Sequence, residues 1–232
     1  MQKKYLYETH CHTSPVSKCG KATVRETLEF YKSLDYAGVF ITNHFIDGNI
    51  NMDKTRPYED KINFYFSDYE DALAIGKEIG IDVLLGVELS YKGTDFLVYG
   101  LDKSWFLDHP EIENMEKKKE LALMAEEGAL IIQAHPFREA DYIECIRLFP
   151  RHVHGIEIYN ASRSDFENER AAEYAKNYGL LTFAGSDNHG ASRKKALGGM
   201  SSSTLLEDEF DFINRIKNGE MEIFSIIREP SV

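Results

Sequence analysis

Cysteine is scarce in this 232-residue chain: Cys11, Cys19 and Cys145 make an odd number, at spacings that match neither a disulfide framework nor a paired CxxC zinc site. Reduced thiols are the expectation. No run of eighteen apolar residues occurs, and Met1-Gln2-Lys3-Lys4-Tyr5 leads into a polar, histidine-rich segment where a signal peptide would place its apolar core. The expectation is a soluble, cytoplasmic protein with no membrane contact. Basic residues are outnumbered, 27 Lys and Arg against 39 Asp and Glu, which leaves a formal net charge of −12. That balance disfavours a long nucleic acid, whose binding rests on many Lys and Arg contacts to phosphates, and favours a small substrate. GxSxG, Walker and GxGxxG patterns are absent, which removes the main covalent-nucleophile and nucleotide-cofactor chemistries. There is no repeat, low-complexity tract or Pro/Gly/Ser-rich linker, so residues 1–232 read as one domain.

What recurs is a short apolar, β-branched run, then a residue of metal-ligand type, then a helix-like stretch. Tyr5 to Tyr7 leads into Glu8-Thr9-His10-Cys11-His12, followed by helical spacing of Val24, Leu28, Tyr31 and Leu34 between Thr23 and Tyr36. Gly38 to Ile41 leads to Thr42-Asn43-His44, then a polar insertion to about Phe66 and a helix over about Asp68 to Ile79. Val83 to Val87 ends in Glu88, and Asp95 to Gly100 returns beside it as an extra strand. After a charged helix near Glu113 to Glu127, Ala129 to Ala134 ends in His135-Pro136. Gly155 to Asn160, a helix over Asp165 to Tyr178, and Leu181 to Gly185 running into Ser186-Asp187-Asn188-His189 complete the series. A β-like segment near Ser202 to Leu206, a helix near Phe210 to Lys217 and a strand near Glu222 to Ile227 close the chain. Alternating β and α segments imply a parallel sheet whose strand C-termini share one edge, so residues distant in sequence converge there.

His10 and His12 stand two apart in extended backbone, so both imidazoles project to one face while Cys11 points to the other. Taken alone, HxH is a weak signal, but His44, Glu88, His135, Asp187 and His189 each follow an apolar run at an equivalent place. His109, His152 and His154 do not, and read as surface residues. Without thiolate pairs, the mixed nitrogen and oxygen donors argue against a closed structural zinc and suit Zn, Mn or Fe with a position open to water.

His10-x-His12-Thr13, Thr42-Asn43-His44, Gly86-Val87-Glu88, His135-Pro136 and Gly185-Ser186-Asp187-Asn188-His189 resemble, in order, the motifs of the PHP (polymerase and histidinol phosphatase) family. The resemblance implies an α/β fold of the distorted TIM-like (β/α)7 barrel type, two or three divalent ions, and phosphoesterase activity. It implies that His10, His12, Glu88 and Asp187 hold one ion, that Glu88 bridges to a second bound by His135, and that His44 and His189 belong to a third. Three positions depart from the common pattern. Ser17 and Lys18 stand where many members have an aspartate or histidine, Asn43 replaces the aspartate before the second-motif histidine, and Asp95 replaces a histidine while still offering a ligand oxygen.

Phosphoryl transfer also needs cations facing the non-bridging oxygens, and Arg138, Arg163 and Arg193 all fall shortly after strand ends. They are the candidates for binding the substrate phosphate. The function that follows is hydrolysis of small phosphate monoesters, of the histidinol-phosphate or nucleotide type, by metal-activated water, with Glu88, Asp187 and His189 as catalytic residues. Cleavage of short oligonucleotides or nucleotide bisphosphates is the nearer rival, and a non-catalytic metal-binding module the more distant one.

Overall fold

The computed structural model describes residues 3–190 and 196–227. The β-branched runs form strands in the expected order: β1 (Tyr5–Glu8), β2 (Tyr36–Ile41), β3 (Asp82–Tyr91), β4 (Thr94–Tyr99), β5 (Leu130–Ala134), β6 (Gly155–Asn160) and β7 (Leu181–Gly185), then β8 (Ala196–Ser202) and β9 (Glu222–Ile227). Helices α1 (Val24–Ser33), α2 (Tyr58–Ile79), α3 (Lys103–Asp108), α4 (Lys117–Glu126), α5 (Asp165–Tyr178) and α6 (Glu209–Asn218) separate or follow them. Among the described residues the strands make one nine-stranded sheet in the order β7-β6-β5-β4-β3-β2-β1-β8-β9.

The sheet is mixed and not wholly parallel as expected. β1, β2 and β3 pair in parallel, as do β5, β6 and β7, but β4 runs antiparallel to both β3 and β5. β8 pairs antiparallel with β1 and with β9. The sheet nearly closes into a barrel because the chain just past β1 and the chain just past β7 meet: Cys11 bridges Asn188 in parallel, with His12 N donating to Asn188 O at 2.9 Å and Asn188 N to His10 O at 3.2 Å. This closure joins the segments that carry His10, His12, Asp187 and His189.

Inside, alternate strand residues build an aromatic layer in which the Phe40 ring lies 5.2 Å from that of Tyr99 and 4.4 Å from that of Phe212 on α6. α6 therefore plugs the end of the barrel away from the strand C-termini of β1–β3. Fully burying such rings contributes about 1.5–3 kcal/mol each, which fixes the barrel around the site.

Three boundaries differ from the expected ones. α2 starts at Tyr58, ten residues before Asp68, because Pro57 precedes it and Ile62, Tyr65, Phe66 and Tyr69 recur at three- to four-residue spacing on its inner side. The aromatic residues at the two ends of the polar insertion are thus core, with Phe45 packed 5.0 Å from both Tyr65 and Phe106. Between residues 110 and 126 a 3-10 turn opened by Pro110 precedes α4, which begins at Lys117 and not Glu113. The late strand lies at Ala196–Ser202, ahead of the expected 202–206. A Cβ at its Gly198 or Gly199 would strike the Tyr159 ring or the Tyr7 carbonyl.

Candidate metal centre

Six of the strands that meet at the rim deliver a donor. His10 and His12 follow β1, His44 follows β2, Glu88 lies within β3, His135 follows β5, and Asp187 and His189 follow β7. Asp95 arrives from the opposite direction at the start of antiparallel β4, paired with Ser90 on one side and Ala134 on the other. All eight candidate ligands meet in one place. His135 (φ 26°) and Asp187 (φ 51°) hold left-handed backbone as they turn off their strands, a sparsely populated region for a residue with a Cβ.

Glu88 sits at the centre. Its Oε1 lies 3.2 Å from His10 Nε2 and 3.4 Å from His135 Nε2, and its Oε2 lies 3.4 Å from His12 Nε2 and 2.6 Å from His44 Nδ1. Asp187 Oδ1 stands 3.7 Å from His10 Nε2 and 3.4 Å from both His12 Nε2 and His189 Nδ1. Asp95 Oδ2 is 3.9 Å from His135 Nε2. These buried atoms converge without the alignment of hydrogen bonds: His10 Nε2, His12 Nε2, His44 Nδ1 and both Glu88 oxygens lack any hydrogen-bond partner. Leaving so many buried donors and acceptors unsatisfied costs about 1–3 kcal/mol each, a cost that divalent ions between them would remove.

The groupings within ligand distance are His10, His12 and Glu88; His10, His135 and Asp187; Glu88, Asp95 and His135; and His12, Cys19, His44 and His189. Their shared members, above all Glu88, suit a multinuclear site of mixed nitrogen and oxygen donors.

Behind the ligands lies a layer of orienting groups absent from the sequence reading. Glu157 on β6 takes His10 Nδ1 at 2.8 Å on Oε1, and on Oε2 it accepts from His135 N and Asn160 Nδ2, each at 2.9 Å. The network assigns the His10 proton to Nδ1, which leaves Nε2 with a lone pair facing the cluster. Glu8 Oε1 accepts from the amides of Thr9, His10 and Ser186 at 3.0 Å each, so one carboxylate holds the ends of β1 and β7 together. Both carboxylates were detectable in principle. Each stands beside apolar strand residues and is fully buried, where a charge requires partners.

Asn43 and Ser17, two of the departures from the family pattern, are structural here. Asn43 Oδ1 accepts from Thr13 N at 2.7 Å and Ser17 Oγ at 2.8 Å, while its amide donates to Thr13 Oγ1 and Asp68 Oδ2. Ser17 Oγ also accepts from His44 N at 3.0 Å and lies 3.3 Å from His12 Nδ1.

The clustered histidines and carboxylates shift one another's proton affinity. Burial disfavours a charged His10, yet Glu157, Asp187 and Glu88 raise its imidazole well above the ordinary range. His12 is driven well below it by burial and by the neighbouring His189 and His44. Glu88, against the pull of burial, is held well below the carboxylate range by His44, His10 and His12. Burial would raise the Cys19 thiol, but the imidazoles of His189 and His44 bring it down to about 6.

Above the cluster opens a cleft of about 600 Å³, lined among others by Cys19, His44, Asp95, Arg138, Tyr142 and His189. Arg138 sits at its wall with Nη2 2.9 Å from Asp95 Oδ2, leaving Nε without a hydrogen-bond partner. Arg163 follows β6, half-buried, its amide donating to Asn160 O and its charge acting on Glu167, and it does not line this cleft. Arg193 lies outside the described residues. Cys11 is buried in the core and Cys145 is exposed, and neither is in a disulfide. No helix among the described residues is long and apolar enough to cross a membrane.

No protein-family model matches the chain, and no curated protein matches it by sequence. Solved structures do. A two-domain protein from Bacteroides vulgatus containing a predicted PHP-like metal-dependent phosphoesterase superposes with a TM-score of 0.68 at 14% identity, over 96% of this chain. The chain spans 65% of the length of that protein. A candidate metal-dependent phosphoesterase from Bifidobacterium adolescentis gives a TM-score of 0.53 at 15% identity, over 83% of this chain and 91% of its own. An amidohydrolase from Chromobacterium violaceum, with bound sulfate and no metal, gives 0.55 at 14% identity, over 94% of this chain and 97% of its own. The fold is therefore the distorted TIM-like barrel of PHP-like proteins.

Proposed function

We propose that this chain is a metal-dependent phosphoesterase that hydrolyses small phosphate monoesters. The observation that carries the reading is the convergence of buried, unpartnered imidazole nitrogens and carboxylate oxygens on shared points, beneath a cleft with a cationic wall. His10, His12, Glu88 and Asp187 would hold one ion; Glu88, His135 and Asp95 a second; His44 and His189 belong to a third. Bound Zn, Mn or Fe ions supply Lewis acidity toward a phosphoryl oxygen and make a water acidic enough to attack at neutral pH.

The chain's own residues do the rest. Glu88 and Asp187 supply negative charge that offsets the ions, and Glu157 keeps the His10 lone pair directed at the cluster. Arg138, steadied by Asp95, lines the cleft and would turn its guanidinium toward a non-bridging phosphate oxygen. The cleft's size suits a small ester. A net charge of −12, with this arginine among the cations at the rim, favours one or two phosphates over a long strand.

The test is a panel of small phosphomonoesters, short diesters and long single-stranded nucleic acid, given to metal-loaded protein. Monoester turnover is expected, with Glu88→Gln and Asp187→Asn each lowering kcat by about 100-fold or more in a folded protein. Preferred turnover of diesters would replace the reading with its nearer rival. Absence of turnover on every ester, or full activity in both variants, would overturn it.

A further inference from the structure

Around the third grouping the chain departs from the pattern it resembles, and the structure shows what stands there instead. Ser17 is committed: its hydroxyl donates to Asn43 Oδ1 and accepts from His44 N. Lys18 is held by its amide to Asn49 O at 2.9 Å. Next in the chain, Cys19 enters the cleft and joins His12, His44 and His189, the four offering donor atoms within 4.8 Å of one another. The His12 ring stacks 4.3 Å from His189 and lies 4.4 Å from His44, so the imidazoles are already gathered on one side of the thiol. His12 Nε2 is buried and lacks a hydrogen-bond partner.

The thiol is also fixed in place. Ser17 N donates to Thr13 O and Gly20 N to Ser17 O, each at 3.0 Å, and Lys21 N donates to His189 O at 2.6 Å. Gly20 packs so closely on the Thr13 backbone that a Cβ would come within 2.6 Å of it. The backbone on both sides of Cys19 is thus tied to the segments that carry His12, His44 and His189, which is how a ligand is held ready.

We propose that Cys19 is a thiolate ligand, completing with His44 and His189 a sulfur-and-nitrogen site for a soft or borderline divalent ion such as Zn, while His12 stays with the first ion. This rests on the metal-centre reading above and deepens it. Sulfur among imidazoles biases the site toward Zn or Fe and away from Mn or Mg, which prefer oxygen donors. The bond forms as the thiol gives its proton to solvent and the thiolate donates its electron pair to the ion, with no change of oxidation state.

Cobalt(II) provides the probe, since a cysteine ligand adds a near-ultraviolet thiolate-to-cobalt charge-transfer band that histidine and carboxylate ligands lack. Chelator-stripped protein reloaded with cobalt should show the band in the wild type and in Cys11→Ala and Cys145→Ala. Cys19→Ala should lose both the band and one ion per chain by elemental analysis. Cys19→Asp, which restores an anionic donor, should recover the ion without the band, and this separates ligation from a folding defect. If the wild type binds cobalt that Glu88→Gln releases, yet Cys19→Ala keeps band and stoichiometry, the thiolate proposal fails while the metal-centre reading stands. If the folded wild type binds no ion at all, both fail.

Discussion

Glu157 binds no substrate in this reading, so its replacement by Gln isolates the orienting layer. The amide has the same shape, but one of its terminal atoms becomes a donor. Turned toward His10, the NH2 group meets the Nδ1 proton across the present 2.8 Å contact. His10 must then carry its proton on Nε2, which faces Glu88 at 3.2 Å and would cease to be a ligand. Turned the other way, the NH2 group meets two donors, His135 N and Asn160 Nδ2. Either orientation forfeits at least one hydrogen bond to a charged acceptor, about 1.5–3 kcal/mol. At about 1.4 kcal/mol per factor of ten, metal affinity should fall roughly 10- to 100-fold, which agrees with the usual effect of removing an orienting partner. Competition against a chromophoric chelator measures this directly, with circular dichroism to confirm the fold. A folded Glu157→Gln variant whose affinity stays within twofold of the wild type would refute the reasoning.

Arg138→Ala should raise KM for small phosphate esters about tenfold or more while the metal content by elemental analysis is unchanged, because the guanidinium faces the cleft and stands outside the ligand set; lost ions, or unaltered kinetics on every ester, would remove its role. Glu120 offers a pH test remote from the cluster. Burial pushes its carboxyl up to about 7, against the opposing pull of Lys117, while Asp47 adds to the rise. The folded state therefore holds this proton more tightly than the unfolded state does, and the wild type loses stability from this group as pH rises from the ordinary carboxylate range through about 7. In Glu120→Gln that loss should vanish, so the variant's melting temperature relative to the wild type should climb between about pH 5 and 8; a gap that stays constant with pH would contradict the assignment.

What could be read in advance was whatever carries a period or a fixed offset. His10 and His12 share a face because extended backbone repeats every two residues, and His44, Glu88, His135 and Asp187 were marked by the apolar runs before them. The direction of β4 is marked only by its connection, since two residues, Lys92 and Gly93, can join antiparallel strands but not parallel ones, while a strand buried on both faces has the same composition either way. α2 was read short because its first ten residues mix charge with aromatics, and only packing of Tyr65 and Phe66 on Phe45 and Phe106 shows which face is inward. The roles of Glu8 and Glu157 depend on the amides of Ser186 and His135, brought from other segments, which no local spacing encodes. Cys19 reads from the sequence only as a reduced thiol, and it is the ties through Thr13, Asn49 and His189 that place it among three imidazoles.

The reversal of β4 also shapes how the cleft is entered. A parallel strand leaves the rim through a connection that must travel to the next helix, and such connections are the parts of a barrel that lengthen freely. At β4 the rim is instead crossed by two residues, Lys92 and Gly93, with φ of 51° and 82° between the paired Tyr91 and Thr94. This matches the tight I′ turn that suits the twist of a hairpin. A turn with no slack cannot fold over a bound molecule, and adding a residue to it would slip Asp95 to the other face of the sheet. The cleft therefore has one low, fixed sill, and adaptation to different esters falls to the taller walls, above all the helix-free crossing from His135 to His154 that carries Arg138 and Tyr142.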